Sequence, residues 1–164
     1  MSVTTMQELL IDELKDLYSA EKQIVQALPK LAKAASSTQL QEAILTHLEE
    51  TKGQVERLDR ISEIVGKKLT GKACLGMKGV LAEGSEALGE IGKGSVRDAA
   101  LISAAQRVEH YEIAAYGAAR AFAESLDLTD VAALLEQTLA EEKNADKTLG
   151  GIASRVNTEA KRAA

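Results

Sequence analysis

Four stretches of this chain carry apolar residues at alternating spacings of four and three, and each is interrupted near its midpoint by a polar side chain. The third shows it most plainly: Leu101, Ala105, Val108, Glu112, Ala115, Ala119, Phe122 and Leu126. Such a seam is the stripe that one helix turns toward its partners in a bundle. A carboxylate buried there costs about 3–5 kcal/mol if it is left unpaired, so the other helices have to compensate it. Their seams carry matching exceptions. Glu21 interrupts Leu10, Leu14, Leu17, Ile24, Leu28, Leu31 and Ala35, and Glu142 interrupts Val131, Leu135, Thr138, Ala145, Leu149, Ile152 and Val156. The second seam is the most polar, with His47, Thr51 and Gln54 between Leu40 and Ile44 on one side and Leu58, Ile61 and Val65 on the other.

This pattern predicts an all-α chain of two helical hairpins, a four-helix bundle. Thr5 and Glu8 have capping-box spacing at the first helix, as do Thr38 and Gln41 at the second. Ser36-Ser37-Thr38 and Asp127-Leu128-Thr129 are turns short enough to make sequential helices antiparallel neighbours. Pro29 should kink or divide the first helix, and Gly66 should end the second. Between Gly66 and Gly94 glycines accumulate, and Met77, Val80, Leu81, Leu88 and Ile91 outline a short extra helix inside a long crossover. Ser95 and Asp98 look like the start signal of the third long helix. Gly150-Gly151 should soften the fourth, leaving a frayed tail through Ala164. A weak internal repeat sets Glu50 on Glu142, with Glu21 within one residue of Glu112 at the same offset.

With 164 residues, the chain is expected to form a single domain spanning 1–164. One Phe, three Tyr and no Trp leave the core to Leu, Ile, Val and Ala. A net charge of −5 gives no reason to expect nucleic acid or an anionic membrane as partner. No apolar run of about 18 residues is present, and the first residues lack the basic and apolar regions of a signal peptide, so a cytoplasmic location is expected. The single Cys74 excludes an intrachain disulfide and has no zinc-type cluster around it.

Packed side by side, the four helices bring Glu21, Gln54, Glu112 and Glu142 into one layer, flanked by Glu50, Glu109 and Asp146. Carboxylates facing one another at low effective dielectric repel strongly. Two arrangements relieve this: shared protons and hydrogen bonds, or divalent cations bridged by the carboxylates. Against the second stands the common use of a lone polar seam residue as a register device. His47, with no partner histidine, reads as a hydrogen-bonded core residue. His110 should be exposed, and the three tyrosines read as packing.

Asp16-Leu17-Tyr18-Ser19-Ala20-Glu21-Lys22-Gln23, His47-Leu48-Glu49-Glu50-Thr51, Arg97-Asp98-Ala99-Ala100-Leu101-Ile102 and Val108-Glu109-His110-Tyr111-Glu112-Ile113 resemble the YciF family of bacterial stress proteins. The resemblance covers nearly the whole chain. It implies a ferritin-like fold related to rubrerythrins, a homodimer, induction under stress, and a centre of one or two iron or manganese ions with ferroxidase-like activity. Carried over by position, the site falls on Glu21, Gln54, Glu112 and Glu142, with Glu50, Glu109 and Asp146 beside them. The chain departs from the usual pairing of a Glu with a His three residues later. Gly53 follows Glu50 at that spacing and Ala145 follows Glu142. The nearly all-oxygen site that remains argues against tight iron binding and leaves manganese or a weaker iron site. The alternative function is a non-catalytic helical dimer, a structural or interaction protein with a protonated polar layer.

Overall fold

A computed structural model describes residues 3–162. Met1, Ser2, Ala163 and Ala164 lie outside the described residues, and with them the first residues of the signal-peptide reading and the end of the expected frayed tail. Among the described residues there are five helices and no strand: α1 (Met6–Ala34), α2 (Thr38–Val65), α3 (Leu75–Glu90), α4 (Ser95–Ser125) and α5 (Thr129–Arg162).

The local signals account for most helix ends. Thr5 and Glu8 form the expected capping box: the Thr5 hydroxyl accepts the Glu8 N–H at 3.2 Å, and the Glu8 carboxylate accepts the Thr5 N–H at 3.0 Å. Gly66 ends α2 in the left-handed conformation, φ 63°. Four expectations need correction. Pro29 does not divide α1, because it lies on an exposed face where the carbonyl it leaves without a donor can turn toward water. The cap of α2 is Ser37 rather than Thr38, its hydroxyl accepting the Leu40 N–H at 3.3 Å. Asp98 caps no helix: its carboxylate accepts the N–H groups of Ser36 and Ser37 at 2.8 and 2.7 Å, tying the α1–α2 turn to α4. Nor does α5 weaken at Gly150-Gly151. It runs on to Arg162, with Ile152 and Val156 still buried.

The glycine-rich connection is more ordered than its composition suggests. Cys74, fully buried, caps α3 through its sulfur. A Cβ at Gly76 would stand 2.6 Å from the Tyr111 ring, and one at Gly84 would stand 3.2 Å from the Ala104 Cβ. These glycines are therefore what lets α3 approach α4 closely.

Each long helix packs against two others: α1 against α2 and α4, and α5 against α4 and α2. Because α3 also packs on α4, with Gly84 against Ala104, the latter buries Ala104 off its seam. The apolar interior falls into two blocks. One holds Leu10, Leu14, Leu17, Leu58, Ile61 and Leu135; the other holds Ile24, Leu28, Leu40, Ile44, Leu101, Leu149 and Ile152. Along every long helix the polar exception falls where one block gives way to the other. Among the described residues no helix is long and apolar enough to cross a membrane.

Candidate metal centre

Glu21, Gln54, Glu112 and Glu142 are each at most 1 % exposed. They meet between the two apolar blocks. Gln54 Nε2 donates a short hydrogen bond to Glu142 Oε1 and a second, of 3.1 Å, to Glu141 Oε2. The Tyr116 hydroxyl donates to Glu21 Oε1, and Glu112 lies beside Glu21. Arg57 reaches in from α2, donating to Thr138 Oγ1 at 2.6 Å and to both oxygens of Glu141 at 2.9 and 2.8 Å.

Toward the other block the layer is short of donors. His47 Nε2 stands 3.3 Å from Glu109 Oε1 and 3.9 Å from Glu142 Oε2. His47, Glu109, Glu112 and Glu142, all buried, each offer one ligand atom, and the four atoms lie within 4.8 Å of one another. Both oxygens of Glu112, Glu109 Oε2, Glu142 Oε2 and His47 Nε2 have no hydrogen-bond partner. Orphaned buried acceptors of this kind carry a desolvation cost of about 1–3 kcal/mol each, more when charged. A cation among them would satisfy several at once. An imidazole with carboxylates is a donor set that suits divalent transition metals, so the residues present fit a metal ion.

Burial, before any other cause, pushes these carboxyls out of their ordinary range. Glu109 is held at about 11, with the neighbouring Glu142 adding to the effect. Glu21 is raised to about 8 by burial and the Glu142 charge, against the lowering effect of the Tyr116 hydroxyl. Glu112 is raised well above the carboxylate range by burial and by Glu21, Glu142 and Glu109. For Glu21, Glu109 and Glu112 the shifts all favour the neutral, protonated form.

The flanking candidates separate. Glu109 belongs to the buried cluster. Glu50, with about a third of its side chain exposed, lies outside it, 3.4 Å from His47 Nδ1. A carboxylate there favours the tautomer with Nδ1 protonated and turns the Nε2 lone pair toward the cluster. Asp146 is drawn off to the surface, accepting from Gln106 at 3.0 Å and facing His110 at 3.3 Å. His110 is exposed as expected. The repeat that set Glu50 on Glu142 joins residues in unlike places, one at the rim and one fully buried.

Sequence reasoning passed over His47 as a ligand, and with it Arg57, Glu141 and Tyr116. The signal for His47 was present in reverse order. A Glu-x-x-His search looks forward from the glutamate, whereas His47-x-x-Glu50 puts the same two residue types one turn apart with the histidine first. Tyr116 lies four residues after Glu112 and Arg57 three after Gln54, each one turn along from a residue already singled out.

The family model described as "Domain of unknown function (DUF892)" matches residues 5–161. Protein YciF of Escherichia coli K12 is 46% identical over 154 residues, 93% of each chain. The crystal structure of that organism's stress protein YciF matches with a TM-score of 0.93 and 44% identity, covering 96% of this chain and 99% of the other. YcfI of Rhodopseudomonas palustris, described provisionally as a structural protein, matches with a TM-score of 0.89 and 43% identity over 91% of this chain and 95% of its own. A Xanthomonas campestris protein shares the fold alone, with a TM-score of 0.75 at 21% identity over 94% of each chain. With the family model spanning nearly the whole chain and a relative of this similarity, the chain belongs to the DUF892 family, that of the stress protein YciF.

Proposed function

We propose that this chain is a single-domain, ferritin-like four-helix bundle whose central layer binds a divalent transition metal, iron or manganese, in a stress-associated role. The observation that carries the reading is the set of four buried ligand atoms from His47, Glu109, Glu112 and Glu142, with Glu112 lacking a partner on either oxygen. His47 softens the all-oxygen site expected from sequence and makes iron a better match than it first appeared. Glu21 and Gln54 stand next to this cluster, each with one orphaned oxygen, and would complete a second position in a two-ion centre.

Bound ferrous ion, as substrate, would be oxidised there by oxygen or peroxide. The chain's own contribution is to orient and to exchange protons. Glu50 sets the His47 tautomer, and Gln54 fixes one oxygen of Glu142 so that the other remains free. The carboxyls of Glu109 and Glu112 give up their protons as the cation enters. A homodimer, which rests on family resemblance, and a cytoplasmic location, which rests on the sequence pattern, complete the proposal. Light scattering at micromolar concentration tests the dimer, and a monomer mass removes it.

A second reading has support of its own. The raised carboxyls can share protons without any metal, and a structural relative carries a provisional structural description. Anaerobic isothermal titration with Fe(II) and Mn(II), on wild type and Glu112→Gln, separates the two. The metal reading expects binding with proton release by wild type and none by the variant. Equal binding by both removes Glu112 as a ligand, and no binding by either leaves the protonated structural layer.

A further inference from the structure

A pocket of about 150 Å³ opens between α2 and α5 and reaches His47 and Glu109. Its lining comes from all four long helices: Leu28, Ile44, Ala105 and Leu149 are among the apolar residues, and the exposed Asn144 adds a polar group. Thr46 and Thr148 are exposed at its mouth, with Glu50 half-buried beside them. At its inner end His47 and Glu109 are buried, and His47 Nε2 and Glu109 Oε2 have no hydrogen-bond partner.

Size, polarity and charge each narrow what such a space accepts. An apolar space of roughly 150 Å³ holds a guest about as large as benzene. Most of the lining surface is apolar, so between the polar mouth and the polar inner end an apolar body is favoured over solvent. The inner end calls for a group that both donates and accepts, because it presents an imidazole nitrogen and a carboxyl oxygen side by side; a hydroxyl does both. Glu50 beside the mouth disfavours an anion.

We propose that this pocket binds a small neutral molecule of single-ring size bearing one hydroxyl, a compound of the phenol class, with the hydroxyl against His47 and Glu109. It rests on the metal-centre reading only in placing that hydroxyl next to a bound ion; the binding itself uses side chains that are present without one.

The test is a titration of metal-free protein with phenol and, separately, with benzoate, followed by backbone amide chemical shifts. Phenol should give saturating shifts confined to residues around the pocket, and benzoate should bind at least about tenfold more weakly because of the Glu50 carboxylate it meets. Ala145→Leu replaces a lining methyl group with an isobutyl group and should abolish saturation. Thr148→Phe, on the exposed mouth where folding is not at stake, should weaken phenol at least severalfold and decides the matter if the Leu variant does not fold. Absence of saturation, shifts scattered over the surface, benzoate binding as tightly as phenol, or a folded variant binding like wild type would each overturn the proposal. Mn(II) titration of the same samples keeps the two ideas apart. Metal binding without phenol binding removes the pocket alone, and phenol binding without metal binding removes the metal reading alone.

Discussion

The two sides of the buried layer are built from the same helices and differ in what they offer a charge. On one side Arg57, Gln54 and Tyr116 supply donors to Glu141, Glu142 and Glu21. On the other, Glu112 has no donor at all, and His47 and Glu109 face each other with unpartnered atoms. Glu21, Gln54 and Tyr116 on the first side are as buried as Glu109 and Glu112 on the second, so depth within the bundle does not explain the contrast. Residue type does: the first side holds a permanent cation and two neutral donors, the second only acceptors and one imidazole. A polar layer can serve as a register device when its members satisfy one another, and the first side comes nearer to that, with one oxygen each of Glu21 and Gln54 left over. The second is complete only when something from outside, protons or a cation, is added.

The largest effect expected from this asymmetry is on stability against pH in metal-free protein. Glu21, Glu109 and Glu112 all have raised folded-state pKa values, so above the ordinary carboxylate range near 4.5 they bind more protons folded than unfolded. Stability is therefore full at low pH and is lost as pH rises, through about 8 for Glu21 and on to about 11 for Glu109. Each carboxyl kept protonated contributes a loss on the order of 1 kcal/mol per pH unit across its window. Urea denaturation between pH 5 and 9 should show a continuous decline, and Glu109→Gln should flatten its upper part more than Glu21→Gln does. A flat wild-type profile would mean that the open side is already neutralised within the chain, and the contrast would disappear.

Arg57→Met should come next. Removing one member of a buried ion pair leaves its partner uncompensated, at a cost of about 3–5 kcal/mol. Glu141 is partly exposed, which brings the cost below that range, to about 2–3 kcal/mol. Metal affinity should hold or rise, since a nearby positive charge is gone. A variant that lost both stability and metal binding would show that the two sides do not act separately.

His47→Ala reverses that pattern. Metal affinity by titration should fall about 100-fold while metal-free stability changes little, because the imidazole makes few satisfied contacts of its own. Glu50→Gln, which touches only the outer nitrogen of that ring, should cost about tenfold. A larger loss from Glu50→Gln than from His47→Ala would make Glu50 the ligand, as the sequence first suggested.

What the sequence made legible follows from periodicity. Seam positions depend on local spacing along one helix, and the interruptions at Glu21, Gln54, Glu112 and Glu142 therefore mark buried positions directly. Which side chains complete the layer depends on rotation and height of one helix against another, and those are set by packing. Glu109 and Asp146 both flank the layer in sequence. Only Glu109 turns inward; Asp146 is held by Gln106 and His110, residues of α4 that no pattern within α5 reveals. The glycines of α3 taught the same lesson. The spacing of Met77, Val80, Leu81 and Leu88 marked a short helix among them, but it did not reveal that Gly76 and Gly84 serve contacts with Tyr111 and Ala104 that are distant in sequence.

The smallest effect, and the sharpest test of where one side ends, belongs to Tyr116→Phe. The substitution keeps the buried ring and removes only the hydroxyl that donates to Glu21. At pH 6 Glu21 is protonated, and the loss should be that of a neutral hydrogen bond, about 1 kcal/mol. Above pH 8 Glu21 ionises in wild type, and a bond to a charged acceptor contributes about 1.5–3 kcal/mol, so the penalty should grow with pH. Without the hydroxyl, whose bond lowers the Glu21 pKa, that ionisation should itself move upward. Urea denaturation of both proteins at pH 6 and pH 9 measures the difference. Metal affinity should stay within about threefold of wild type, because Glu21 is outside the four-atom cluster of His47, Glu109, Glu112 and Glu142. A loss of binding as large as that of His47→Ala would put Glu21 inside the first ion's site and merge the two sides into one.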